Sequence, residues 1–150
     1  MKIQFKLATK EDFDLLMKFF EHYQNLEIQK NRVECYTSHN KTLLMFIDNN
    51  YGGRIQWYVK EDPNFGVVEL EEFYVKKEYR RQGFGKKLFQ MALTKIQEIV
   101  NPLYSIFLFT NSNNNVMQHI CLESGFNKAA EIINLFKQGE TELLFLKTYD

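Results

Sequence analysis

The segment Tyr79-Arg80-Arg81-Gln82-Gly83-Phe84-Gly85-Lys86 places two glycines one residue apart, where a β-rich stretch gives way to a helical pattern. Glycine admits positive φ and lets a ligand approach the main chain closely. A helix N-terminus offers unpaired N–H groups and the positive end of the macrodipole. Arg80, Arg81, Lys86 and Lys87 add positive charge. Together these groups can seat a pyrophosphate on the main-chain N–H groups from Arg81 to Lys86. Two commoner phosphate loops do not fit. The GxxxxGK[ST] pattern is absent, which also argues against a nucleoside-triphosphate module. The third glycine of a dinucleotide fingerprint is missing, and the elements before the loop read as an antiparallel meander.

The elements around the loop follow from periodicity. Ile3, Phe5 and Leu7 alternate with polar residues as a strand. Thr9-Lys10-Glu11-Asp12 sets an acid three residues after a hydroxyl, a helix start. Phe13, Leu16, Met17, Phe20 and Tyr23 then recur at helical spacing. The polar stretch from Leu26 to Lys41 predicts a short helix and a loop. Leu43 to Ile47 predicts a strand, residues 49–53 a glycine turn, and Arg54 to Val59 the returning strand. Asp62-Pro63-Asn64 marks another turn before a third strand from Val67 to Val75. Leu88, Phe89, Ala92, Leu93, Ile96, Ile99 and Val100 form the apolar stripe of the helix after the loop, which Asn101-Pro102 stops. Ser105 to Thr110 is almost wholly apolar, as in a strand covered on both faces. Val116, Met117, Ile120 and Cys121 line a short helix ending near Gly125, and strands near Glu131–Phe136 and Glu142–Tyr149 follow. The order β-α-(α)-β-β-β-α-β-α-β-β is an α/β arrangement. It predicts a mixed, mostly antiparallel sheet with a parallel pair across the loop helix, and helices on both faces.

Composition bounds the rest. A chain of 150 residues with 45% apolar and 25% charged residues suits one globular domain, residues 1–150. The net charge of zero argues against a nucleic-acid or anionic-membrane binder. Cys35 and Cys121 form no CxxC or Cys/His cluster, and His22, His39 and His119 stand apart, so no metal site is expected. No apolar signal core opens the sequence and no stretch approaches a membrane span, so a cytoplasmic protein is expected.

With these elements in place, Arg80-Arg81-Gln82-Gly83-Phe84-Gly85 resembles the R/Q-x-x-G-x-G/A cofactor motif of the GNAT family of N-acetyltransferases. Asn114 and Gly125-Phe126 stand at the spacing that family shows farther on, and the opening Leu7 to Asp12 is similar as well. Leu70-Glu71-Glu72-Phe73-Tyr74-Val75 looks like the corresponding strand of spermidine/spermine acetyltransferases. The resemblance covers nearly the whole chain in order. It implies that acetyl-CoA is the co-substrate, with its pyrophosphate on the loop. It further implies that the main chain of Phe73 and Val75 holds the pantetheine and polarises the thioester at a strand bulge, and that Asn114 hydrogen-bonds the pantetheine arm. A homodimer is common in such proteins.

The implied chemistry is direct attack of a neutral primary amine on the thioester. An ammonium near pKa 10.4 must first lose its proton, which a carboxylate can take, often through water. The strand before the loop offers Glu69, Glu71 and Glu72. Alternation puts Glu69 and Glu71 on one face and Glu72 on the other unless a bulge inverts the parity. Glu71 matches the base position of the polyamine enzymes and Glu69 that of the histone enzymes. Glu71 is the preferred base, with Glu72 anchoring the substrate ammonium. Many family members carry a tyrosine seven residues after the asparagine, to protonate the departing thiolate. Here that position is Cys121, either a weak acid or a small buried hydrophobe. The acceptor is a small molecule or a protein amine. The competing reading is an acyl-CoA-binding sensor with weak or lost catalysis.

Overall fold

The computed structural model describes residues 1–19, 25–38, 41–60 and 66–150. Seven strands hydrogen-bond in the order β1-β2-β3-β4-β5-β7-β6. They are β1 (Ile3–Leu7), β2 (Thr42–Ile47), β3 (Asn50–Val59), β4 (Val67–Val75), β5 (Ser105–Asn111), β6 (Asn127–Ile133) and β7 (Thr141–Thr148). Four α-helices, α1 (Phe13–Phe19), α2 (Leu26–Ser38), α3 (Phe84–Ile99) and α4 (Asn115–Glu123), complete the mixed α/β fold. The pairings β1–β2, β2–β3, β5–β7 and β6–β7 are antiparallel, and β4–β5 is parallel, as the helical crossover requires. Contacts gather the chain into two compact units, residues 1–56 with 72–88 and residues 57–71 with 89–150.

In the first unit, Asp12 starts the α1 region, its carboxylate accepting from the Thr9 N–H at 2.8 Å. Ala8, Leu16, Val33, Tyr36, Leu44 and Tyr51 form the core cluster, with Phe13, Phe19 and Tyr74 packed against it. The helix predicted within Leu26 to Lys41 is α2, 13 residues long, and the placement of the following turn changes. The helix buries Gln29 and Thr37 beside Val33 and Tyr36, so its inner face carries too few apolar residues to show a stripe. The turn between β2 and β3 is Asp48-Asn49, both left-handed at φ 47 and 66, in the manner of a two-residue hairpin. Residues 50–53 already belong to β3. Gly53 is there for clearance rather than for turning: a Cβ would stand 2.4 Å from the Tyr74 carbonyl oxygen. Phe20 and Tyr23 of the predicted first helix, His22, His39 and the predicted Asp62-Pro63-Asn64 turn lie outside the described residues.

In the second unit, Phe89 of α3 packs on Phe126, ring centroids 5.7 Å apart. Ile106 and Leu108 of β5 and Leu143 and Phe145 of β7 are buried with them. The predicted two-sided burial of β5 is not found. Phe107 and Phe109 alternate with the buried residues and are only half-buried. β6 runs from Asn127 to Ile133, earlier than expected, because residues 134–140 form the connecting loop. That loop closes by the Gly139 N–H donating to Asn134 Oδ1 at 2.6 Å and the Asn134 N–H donating to the Glu140 carbonyl at 2.8 Å.

Candidate active site

In the first unit the end of β4 leads through a single 3-10 turn, Lys77–Tyr79, to the loop and α3. Arg81 at φ 61 and Gly83 at φ 81 are left-handed, and Phe84 follows Gly83 directly into the helix. A left-handed residue followed by a right-handed one turns successive N–H groups into an anion-binding concavity. The first helical turn leaves its N–H groups without intrahelical partners. A Cβ built on Gly83 meets nothing within 4 Å, so the approach to this backbone is open. Phe84 is buried and edge-on to Tyr79 at 6.1 Å, which pins the helix start. These features fit a pyrophosphate. The predicted loop side chains divide the work. Arg81, Gln82 and Lys87 are exposed, and Gly85 and Lys86 half-buried. Arg80 faces the protein itself: its Nε donates to the Val75 carbonyl at 2.7 Å and its guanidinium lies 5.6 Å from the Tyr74 ring centroid. Gln82 Nε2 donates to the Glu78 carbonyl at 2.9 Å. Both side chains, though exposed, therefore brace the loop through main-chain carbonyls.

Glu72 sits at φ 48, a left-handed conformation inside β4 that interrupts the alternation of the strand. Arg54, 2% exposed, lies beside it, with Nη2 at 3.6 Å from the Glu72 carboxylate. Its Nη1 donates to the Tyr51 hydroxyl at 3.2 Å, and its guanidinium lies 5.1 Å from the centroid of the Tyr74 ring. Tyr74 thus has the guanidiniums of both Arg54 and Arg80 as neighbours, and the strained Glu72 is held by a buried cation. Burial pushes the Tyr51 hydroxyl above its ordinary pKa, so it stays protonated beside Arg54. Sequence reasoning missed Arg54. The available signal was an arginine inside an otherwise buried strand, where only a paired cation is tolerated. Arg54→Met should lower stability by about 2 kcal/mol in urea unfolding, because it strips a partly buried carboxylate of its cation. The Glu72→Gln background should recover part of that loss.

In the second unit Glu69 is ion-paired with Lys60, whose ammonium also lies 5.4 Å from the centroid of the Phe107 ring. Glu71 is half-buried. Asn114 caps α4, its Oδ1 accepting from the Met117 N–H at 3.1 Å. Trp57 is buried in this unit and Tyr36 in the core of the other. His119 is exposed, 3.4 Å from Glu123. Among the described residues no group of three or more His, Cys, Asp or Glu side chains could hold a metal. No helix among them is long and apolar enough to cross a membrane.

Cys121 is fully buried, and burial pushes its thiol up to about 12. A thiol raised in this way is a weaker acid than an ordinary one. Packing, rather than acid catalysis, is the role this supports. Cys35 is exposed. Iodoacetamide at pH 8 should therefore add one carbamidomethyl group to the native protein, on Cys35, read by intact and peptide mass. Cys121→Ala should change turnover by at most about tenfold, reflecting repacking alone.

The model of the acetyltransferase (GNAT) family matches residues 8–126. No curated protein matches the sequence. Among solved structures, an acetyltransferase of the GNAT family from Streptococcus pneumoniae superposes with a TM-score of 0.83 at 16% identity, covering 99% of this chain and 100% of that one. YncA from Salmonella typhimurium, solved with its cofactor acetyl-CoA, superposes at 0.82 and 15% identity over 100% of this chain and 95% of that one. The ribosomal-protein-alanine N-acetyltransferase of Brucella melitensis superposes at 0.78 and 16% identity over 97% and 99%. At such identities the likeness is one of fold.

Proposed function

This chain belongs to the acetyltransferase (GNAT) family, the acetyl-CoA-dependent N-acetyltransferases, and we propose that it moves the acetyl group to a primary amine by direct attack, as one domain spanning residues 1–150. The observation that carries the reading is the helix start at Phe84, with left-handed Gly83 and open space before it. There the N–H groups from Arg81 to Lys86 bind the pyrophosphate, with Arg81 and Lys86 supplying charge. The main chain of Phe73 and Val75, beyond the left-handed Glu72, holds the pantetheine and donates to the thioester oxygen. The Asn114 carboxamide holds the same arm through its NH2, its oxygen being committed to the helix cap.

Glu71 removes a proton from the acceptor nitrogen, directly or through one water. The nitrogen lone pair then bonds to the thioester carbon, the carbon–sulfur bond breaks, the nitrogen gives up its second proton to solvent to leave the neutral amide, and CoA leaves as a thiolate that takes its proton from solvent. Glu69 is less available to the acceptor, because Lys60 already occupies its carboxylate. Glu72, held by Arg54, anchors the substrate ammonium through its remaining acceptor capacity.

The similarity of the Leu70–Val75 segment to spermidine/spermine enzymes speaks for a cationic acceptor. Of the β4 carboxylates, Glu69 is ion-paired with Lys60 and Glu72 with Arg54. A small molecule or a protein amine fits this reading, and the two free cysteines suit a cytoplasmic setting. One observation favours a second reading, an acyl-CoA sensor with weak catalysis: the buried Cys121 where the family often has a tyrosine. A screen of primary amines, following CoA thiol release with acetyl-CoA, separates the two. Turnover well above hydrolysis supports transfer, and binding without turnover of any amine supports the sensor.

A further inference from the structure

We propose that the acceptor is a primary amine carrying an aromatic or bulky apolar group, and that this group lies on the open face of β5 and β7 along Phe107, Phe109 and Phe136. The proposal rests on the acetyltransferase reading above. Along β5 and β7 one face is sealed: Ile106, Leu108, Leu143 and Phe145 are buried. The other face pairs Phe107 with Leu146 and Phe109 with Leu144, and all four are half-buried. Phe107 and Phe109 meet edge-on at 6.0 Å, and Phe109 meets Phe136 edge-on at 5.8 Å. Phe136 is 69% exposed, yet it belongs to the loop closed by Asn134 and Gly139. An exposed phenylalanine held on a row of half-exposed rings is apolar surface awaiting a partner.

The row begins beside Glu69, two residues before the candidate base Glu71. Glu69 lies opposite Phe107 in the parallel ladder, and Glu71, two residues on, shares its face. The face already holds one primary ammonium by the means an acceptor would use. Lys60 Nζ pairs with Glu69 and lies 5.4 Å from the Phe107 centroid and 5.1 Å from that of Tyr58. Toward the other end the carboxylates are engaged within the protein. Glu140 pairs with Lys137 at 2.6 Å, and Glu142, 8% exposed, accepts from Asn111 Nδ2 at 3.3 Å. A second ammonium of a polyamine would therefore meet rings and satisfied carboxylates, whereas a phenyl or branched alkyl group would bury apolar surface on both sides.

The test compares 2-phenylethylamine, ethylamine and spermidine as acceptors for the full chain, in wild type and in Phe136→Ala, whose exposed side chain leaves the fold intact. The expected kcat/KM for phenylethylamine exceeds those for ethylamine and spermidine by roughly tenfold or more, mostly through KM. In Phe136→Ala the preference for phenylethylamine over ethylamine should fall at least fivefold. Saturation-transfer NMR should show the phenyl protons of phenylethylamine against the wild-type protein, with a weaker signal in Phe136→Ala. Spermidine turned over as well as phenylethylamine, or a preference unchanged in Phe136→Ala, would overturn the proposal. So would a dimer that Phe136→Ala converts to monomers, since the face would then belong to a second copy. If no amine is turned over, the transfer reading fails by itself, and the NMR signal still decides whether this face takes an aryl amine.

Discussion

Glu71→Gln is expected to lower kcat at neutral pH by roughly a hundredfold or more, with the acetyl-CoA affinity kept. The amide has nearly the shape of the carboxylate and retains hydrogen bonding, but it cannot take the proton that the acceptor nitrogen must lose. The ordinary ammonium pKa of about 10.4 means that only a fraction below one in a thousand of the amine is neutral at pH 7. The base acts on that deficit, so the defect should shrink as the pH rises toward the amine's own pKa. A pH profile from 7 to 10 on wild type and variant reads this directly. A wild-type rate at neutral pH would move the role to Glu69 or Glu72, and a constant defect across the range would mean that Glu71 positions the substrate. Glu69→Gln is the control. It should cost far less in rate, because that carboxylate is engaged by Lys60.

Gly83→Val is expected to abolish measurable acetyl-CoA binding, a loss of at least a hundredfold by calorimetry. Two effects add. At φ 81 a β-branched residue is strained by about 1–3 kcal/mol, which will distort the turn before α3. Its side chain would also project into the open space in front of the helix start, where the pyrophosphate must come within hydrogen-bond range of the N–H groups. The glycine is exposed and a Cβ there meets no protein atom within 4 Å, so the protein itself has room for the substitution. The far-ultraviolet circular dichroism and cooperative unfolding should persist. Unimpaired binding in a folded Gly83→Val protein would remove the loop from the cofactor site.

The acetyltransferase assignment and its loop were legible in the sequence because they depend on short-range signals. Strand β4, the glycine pair and the stripe of α3 follow one another within residues 67–99, and each is set by local alternation, φ freedom or helical spacing. Signals with two physical causes misled. The Gly52-Gly53 pair reads as a turn, yet Gly53 serves the close passage of the Tyr74 carbonyl, a neighbour more than twenty residues away. The helix α2 hides its inner face because Gln29 and Thr37 satisfy their polar groups on main-chain oxygens, Gln29 Nε2 donating to Met17 at 2.8 Å and Thr37 Oγ1 to Val33 at 2.9 Å. The carboxylates of β4 were visible as a set, but their different states were not. Lys60, Arg54 and the left-handed turn at Glu72 distinguish them, and two of those three are contacts with residues outside β4. The sequence alone therefore determined the family and the order of elements up to α3, because those rest on residue type and spacing along one stretch of chain. Only the tertiary structure decided that Arg54 is a buried partner of Glu72, that Cys121 is fully buried, and that Phe107 and Phe109 stand half-open. Burial and charge pairing are properties of what the fold brings alongside a residue, and no spacing along the chain encodes them.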